Sequence, residues 1–108
     1  MGEDFKEEQL ESLYRQLTDK IKPTFKNVKD SYIDFKKSID AWRNSPIEER
    51  PHHLADADRH SKEAVKLLKE IINIAKRTDN PDLIKYMEIF IIHIQQERQK
   101  IGLNLVRI

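Results

Sequence analysis

A heptad stripe between Leu10 and Trp42 is the feature that most restricts what this chain can fold into. Tyr14, Ile21, Val28, Phe35 and Trp42 recur at every seventh position. Leu10, Leu17, Phe25, Tyr32 and Ile39 fill the alternate steps of three and four. That spacing sets all ten on one face of a helix. A face of this kind is made to lie against other helices. It predicts an all-α, antiparallel helical bundle and specifies no reaction.

The rest of the chain agrees. Glycine occurs only at Gly2 and Gly102 and there are four prolines, too few turn formers for an all-β domain. Charged residues make up 36% of the 108 residues, against a usual quarter, as long amphipathic helices with solvated faces require. A chain of 108 residues is expected to form one domain, 1–108, with a single core. Three helical regions are expected at about 4–43, 52–77 and 81–106, with a short helical connector at 46–50. Asp4 followed by Glu7 has capping-box spacing for the first. Ser45-Pro46-x-Glu48 starts the connector and Pro51 is expected to stop it. Asn80-Pro81-Asp82 starts the last helix.

Pro23 falls inside the stripe. An interior proline removes a backbone hydrogen bond and clashes with the preceding turn. Two outcomes compete. The apolar phase passes through Pro23 without a skip, and no Gly, Asn or Ser lies beside it, which favours one long kinked helix. If the chain breaks there, the bundle has four helices. In the kinked case the first region overhangs a shorter body, leaving Leu10, Tyr14 and Leu17 bare for a partner. In the broken case those residues fold into the chain's own core and cover Ile89 and Ile92. These two isoleucines point away from the Leu83, Met87, Phe90, Ile94 core line of the last helix, where a surface helix should be polar. Leu10, Tyr14, Leu17, Ile89 and Ile92 are therefore the candidate interface residues.

Signals for chemistry are sparse. The absence of cysteine excludes disulfides, thiol catalysis and Cys-ligated zinc. Three of the four histidines lie in PHHLADADRH. On a helix His53, Asp56 and His60 share a side, as do His52, Asp56 and His60. Either set could offer two imidazoles and a carboxylate to a divalent metal, with His93 or Glu97 adding a further ligand. The usual His-Glu-x-x-His and Glu-x-x-His patterns are missing, so no metal and no cofactor is expected. No phosphate loop, Ser-His-Asp arrangement or nucleophile elbow occurs.

Charge gives a similar answer. The chain has a net charge of +1, distributed unevenly: residues 1–19 hold six acids and two bases. Lys20, Lys22, Lys26, Lys29, Lys36 and Lys37 form a basic stretch interrupted by Asp30 and Asp34. Binding to nucleic acid through it is not expected. The acidic start has no apolar core of a secretory signal, and the apolar run Ile89 to Ile94 is too short for a membrane span, so a cytoplasmic location is expected. These features point to a small non-enzymatic interaction module that self-associates, as a homodimer, or binds a partner helix. The alternative is a metal-binding bundle enzyme or sensor using His53, Asp56 and His60.

Overall fold

A computed structural model describes residues 5–107 as four α-helices: α1 (Glu7–Gln16), α2 (Lys22–Asn44), α3 (Arg50–Arg77) and α4 (Pro81–Lys100). No strand occurs among the described residues. Neighbours in sequence run antiparallel, with α2 against α3, α3 against α4, and α1 folded back onto α2. Phe5, just ahead of α1, reaches Tyr86, Phe90 and His93 of α4, so α1 lies between α2 and α4.

The chain breaks before Pro23, so the four-helix outcome holds and the single kinked helix does not. The reversal uses residues 17–21. The carbonyl of Thr18 accepts from the backbone N–H groups of both Ile21 and Lys22, each at 3.0 Å. Pro23 then occupies the first turn of α2, where its missing N–H leaves no bond unmade. The magnitudes explain the choice. A continuous helix over residues 7–44 would be roughly 57 Å long, beyond the 48 Å long axis of the molecule. It would leave Phe5, Leu10 and Leu17 in water. Folding back buries all three, each worth about 1.5–3 kcal/mol. It also moves proline out of a helix interior, where it costs about 3 kcal/mol. Continuity of the apolar phase did not decide the issue, because both arrangements bury one face.

Other boundaries also differ from expectation. Pro51 does not stop a helix. A 3-10 turn at Ile47–Glu49 runs straight into α3, and Pro51 sits in the first turn of that helix. The last helix ends at Lys100, not near 106. There Gly102 adopts φ +85° while its N–H donates to Gln99 O at 3.1 Å and that of Leu103 to Arg98 O at 2.9 Å. Residues 103–107 leave the helix in irregular conformation. Asp79 closes α3 in the same way, at φ +54°, with Asn80 N donating to Ala75 O at 3.0 Å. Asn80 then caps α4, its Oδ1 accepting from Leu83 N at 3.3 Å, as the sequence predicts. At α1, Gln9 Oε1 accepts from the backbone N–H of Lys6 at 3.1 Å. The expected cap Asp4 lies outside the described residues.

The core is aliphatic and aromatic apart from the buried Ser61 and Arg98. Phe25, Phe35, Phe90, Leu10, Leu68, Ile71, Met87 and Ile94 are fully enclosed. Leu10 discriminates between the two arrangements. If α1 is folded back, Leu10→Ala lowers unfolding stability by about 2–5 kcal/mol in urea titration. If α1 overhangs, the change is within about 0.5 kcal/mol.

Candidate functional site

The five candidate interface residues separate into two groups. Leu10 and Leu17 are buried in the chain's own core and are corrected from contact residues to core residues. Tyr14 is half-buried, with the ammonium groups of Lys22 and Lys29 5.8 and 5.4 Å from its ring centre. The overhanging arm therefore does not exist as a binding surface. Ile89 and Ile92 remain 45% and 54% exposed. Folding back did not cover them, since ten-residue α1 seats between α2 and α4 whereas these residues stand on the outer ridge of α4. Among the described residues they are the only large apolar side chains exposed on an α-helix. Ile47 and Leu105, the other two, lie in the connector and the tail.

A shallow groove flanks the ridge on each side. Phe5, Leu13, Tyr86 and Ile89 line the one between α1 and α4. Ile72, Ile91 and Ile92 floor the one between α3 and α4, where Lys69, Asn73, Lys76 and Glu88 form the rim. The α4 ridge thus presents apolar atoms to solvent with charged groups at its border, as protein contact surfaces do.

The metal arrangement does not assemble. Asp56 pairs with Arg59 at 2.9 Å, three residues along the same helix. His52 is exposed, and His53 and His60 are half-buried on α3. His93 faces α2 instead, its Nε2 2.8 Å from the hydroxyl of Tyr32. Glu97 pairs with Lys100 and Lys36 at 3.0 and 3.7 Å. Among the described residues no three His, Cys, Asp or Glu side chains converge as metal ligands.

Much of the basic stretch is occupied within the chain. Lys29 hydrogen-bonds and ion-pairs with Glu11 of α1. That contact holds the Glu11 carboxyl below its ordinary range. Lys36 pairs with Glu97. These lysines tie α1 and α4 to α2 and leave less charge for a nucleic acid backbone.

One polar centre was not foreseen. Arg98 of α4 is only 2% exposed. Its Nη1 donates to Ser61 Oγ at 2.7 Å and meets Asp58 Oδ1 at 2.8 Å. Its Nε and Nη2 donate to the carbonyl of Asn104 at 2.9 and 2.7 Å. Gln95, one turn earlier, accepts from Val106 N and donates to Val106 O, both at 2.8 Å. Together they hold the tail against α3 and α4. The signal was present in the sequence, because Arg98 continues the core line of Ile91 and Ile94 towards Ile101, and Ser61 lies on the core line of α3. A charge on a core line requires partners, and these are they.

Titration follows from this geometry. Burial pushes the Asp58 carboxyl up, but hydrogen bonds from Lys62 and Arg98 outweigh it and leave the carboxyl below its ordinary value. Burial, reinforced by the nearby Glu97, pushes the Tyr32 hydroxyl far up, so it remains a neutral donor or acceptor. Because Asp58 is depressed in the folded state, its stabilising contribution is complete above the unfolded value of 3.8 and disappears as pH falls through the folded value. Asp58→Asn is therefore expected to destabilise at pH 7, and the difference from wild type in urea titrations to shrink as pH falls below 3.8. Arg98→Ala should cost about 3–5 kcal/mol and speed hydrogen exchange at Leu103 and Val106.

No helix of the described residues is long and apolar enough to cross a membrane. Comparison of the chain with protein-family models, with curated proteins and with solved structures finds no match.

Proposed function

We propose that this chain is a small non-enzymatic protein-interaction module whose contact face is the outer ridge of α4. The observation that carries the reading is the pair Ile89 and Ile92, exposed side by side on α4, while α1, α2 and α3 turn no large apolar side chain outward among the described residues. Leaving both in water forgoes about 1 kcal/mol or more per side chain, which burial against another protein would recover. The grooves on either side give a partner helix a place to seat.

The buried polar groups fit a non-enzymatic role. Arg98, Ser61 and Asp58 are engaged in holding the tail, and Tyr32 is bonded to His93. A cytoplasmic setting is part of the proposal, since a chain without cysteine needs no oxidising compartment to fold.

The test is solution mass by light scattering over a concentration series, with Ile89→Glu and Ile92→Glu introduced together. Both positions are exposed, so the thermal transition of the variant should stay within a few degrees of wild type. Association should be lost in that variant and retained in Ile47→Glu. Association indifferent to Ile89 and Ile92 overturns the reading.

A further inference from the structure

The link between α1 and α2 is already close to helical. Leu17, with φ −79° and ψ 156°, is where the chain leaves α1. Ile21 is back in helical geometry at φ −95° and ψ −30°. The N–H of Lys22 donates to Thr18 O and that of Phe25 to Ile21 O, both at 3.0 Å and both four residues apart, as in an α-helix. The reversal is therefore made between Leu17 and Ile21. Residues 17–21 contain no glycine and no proline, and the apolar heptads run through them from Tyr14 to Val28 without a skip. Among the described residues their one ion pair is Asp19 with Lys22 at 4.0 Å, and the Asp19 side chain is fully exposed. What holds the reversal is the return of α1 to its own groove.

That groove does not distinguish α1 of its own chain from α1 of another. Phe5 and Leu10 are buried in it, and Glu11 pairs with Lys29 at its edge. Straightened through 17–21, one chain alone would expose these residues. Two chains need not. Related by a two-fold axis at the link, each extends its α1 into the groove of the other, and the contacts of α1 are made again between copies. The hinge ends of the two copies then face each other. Each carries a cleft of about 540 Å³ between the link and the α3–α4 turn, lined by Leu13, Leu17, Ile21, Ile74 and Leu83. Open to water in the single chain, these clefts meet across the axis in the pair. Pro23 opposes the exchange, because straightening places it inside a helix.

We infer that the groove between α2 and α4 takes α1 of a second copy of this chain. The product is an exchanged dimer in which Glu11 of each copy pairs with Lys29 of the other, and Pro23 holds the balance toward the closed chain. The occupant is fixed by identity, since the segment that fills the groove is the same one. The contact does not use the α4 ridge, so it stands or falls apart from the proposed contact face.

Mixed labelling of the full chain tests this. The short tether holds α1 at a millimolar effective concentration. Unlabelled chain and chain labelled with heavy nitrogen are therefore unfolded together in equal amounts and refolded at millimolar concentration. Monomer and dimer are separated by size and identified by light scattering. A carbodiimide then joins the Glu11 carboxylate directly to the Lys29 ammonium, and the joined peptides are weighed. The dimer should give mixed-label Glu11–Lys29 pairs as often as same-label ones, and the monomer same-label pairs only. Pro23→Ala should raise the dimer association constant by about tenfold or more. Two glycines inserted after Thr18 should lower it by about tenfold, since they loosen the reversal and weaken the straight helix. Exchange seen in Pro23→Ala alone also supports the inference, with Pro23 keeping wild type closed. A Pro23→Ala chain that stays monomeric overturns it, as does a dimer with same-label pairs only. A same-label dimer lost in the Ile89→Glu, Ile92→Glu variant overturns the exchange and leaves the α4 ridge as the contact face.

Discussion

Burial of the α1 face between α2 and α4 is the interaction on which the four-helix arrangement depends. Without it Phe25, Tyr32 and Phe90 would face water across an open groove. With it, Phe5 packs on Phe90 and His93 with ring centres 4.4 and 4.8 Å apart, and Leu10 and Leu17 enter the core. Ten residues are too few for a helix to be stable alone, so α1 exists because of what it covers. The Lys29–Glu11 pair lies on the same seam and sets the level at which α1 docks. Part-buried at the edge of the seam, it adds direction more than energy.

The opposite end is closed by different means. There α1 does not reach, and the tail after Gly102 is fastened by Arg98 and Gln95. A buried guanidinium is a poor source of net stability, because desolvation offsets most of its attraction. It is a good source of geometry. Its planar fork bonds α3 and the tail at once, and a tail in any other path would leave its Nε and Nη2 donors unpaired. One end of the bundle is thus defined by apolar fit and the other by hydrogen bonding.

The periodic elements were legible in the sequence. The stripe, the α3 face and the Asn80-Pro81 start of α4 all follow from local chemistry. What was not legible turned on competition between distant parts. Pro23 marks a discontinuity, but kink or reversal depends on whether α4 offers Phe90 and His93 as a bed for Phe5. Pro51 has the local signature of a stop after Ile47–Glu49, but a proline in a first turn is as readily a start, and α3 begins at Arg50. The candidate interface divided for the same reason. Leu10 and Leu17 lie on a core stripe and became core, while Ile89 and Ile92 break the pattern of their own helix and stayed outside. Departure from the local pattern was the better guide to the surface. The histidine cluster is spacing without convergence: Asp56 pairs with Arg59, and among the described residues no third ligand joins the histidines.

The two ends of the bundle carry different chromophores. Tyr14 lies on α1, and Tyr86 and Tyr32 line the surfaces against which Phe5 sits, Tyr86 with its ring centre 5.7 Å away. The single tryptophan, Trp42, lies near the far end of α2, with the guanidinium of Arg50 5.9 Å from its ring centre. Tyrosine absorbance therefore reports the docking of α1, and tryptophan emission reports the junction of α2 with α3. If the bundle melts as one unit the two signals coincide. If α1 lifts away first, the tyrosine signal moves while the tryptophan remains unchanged.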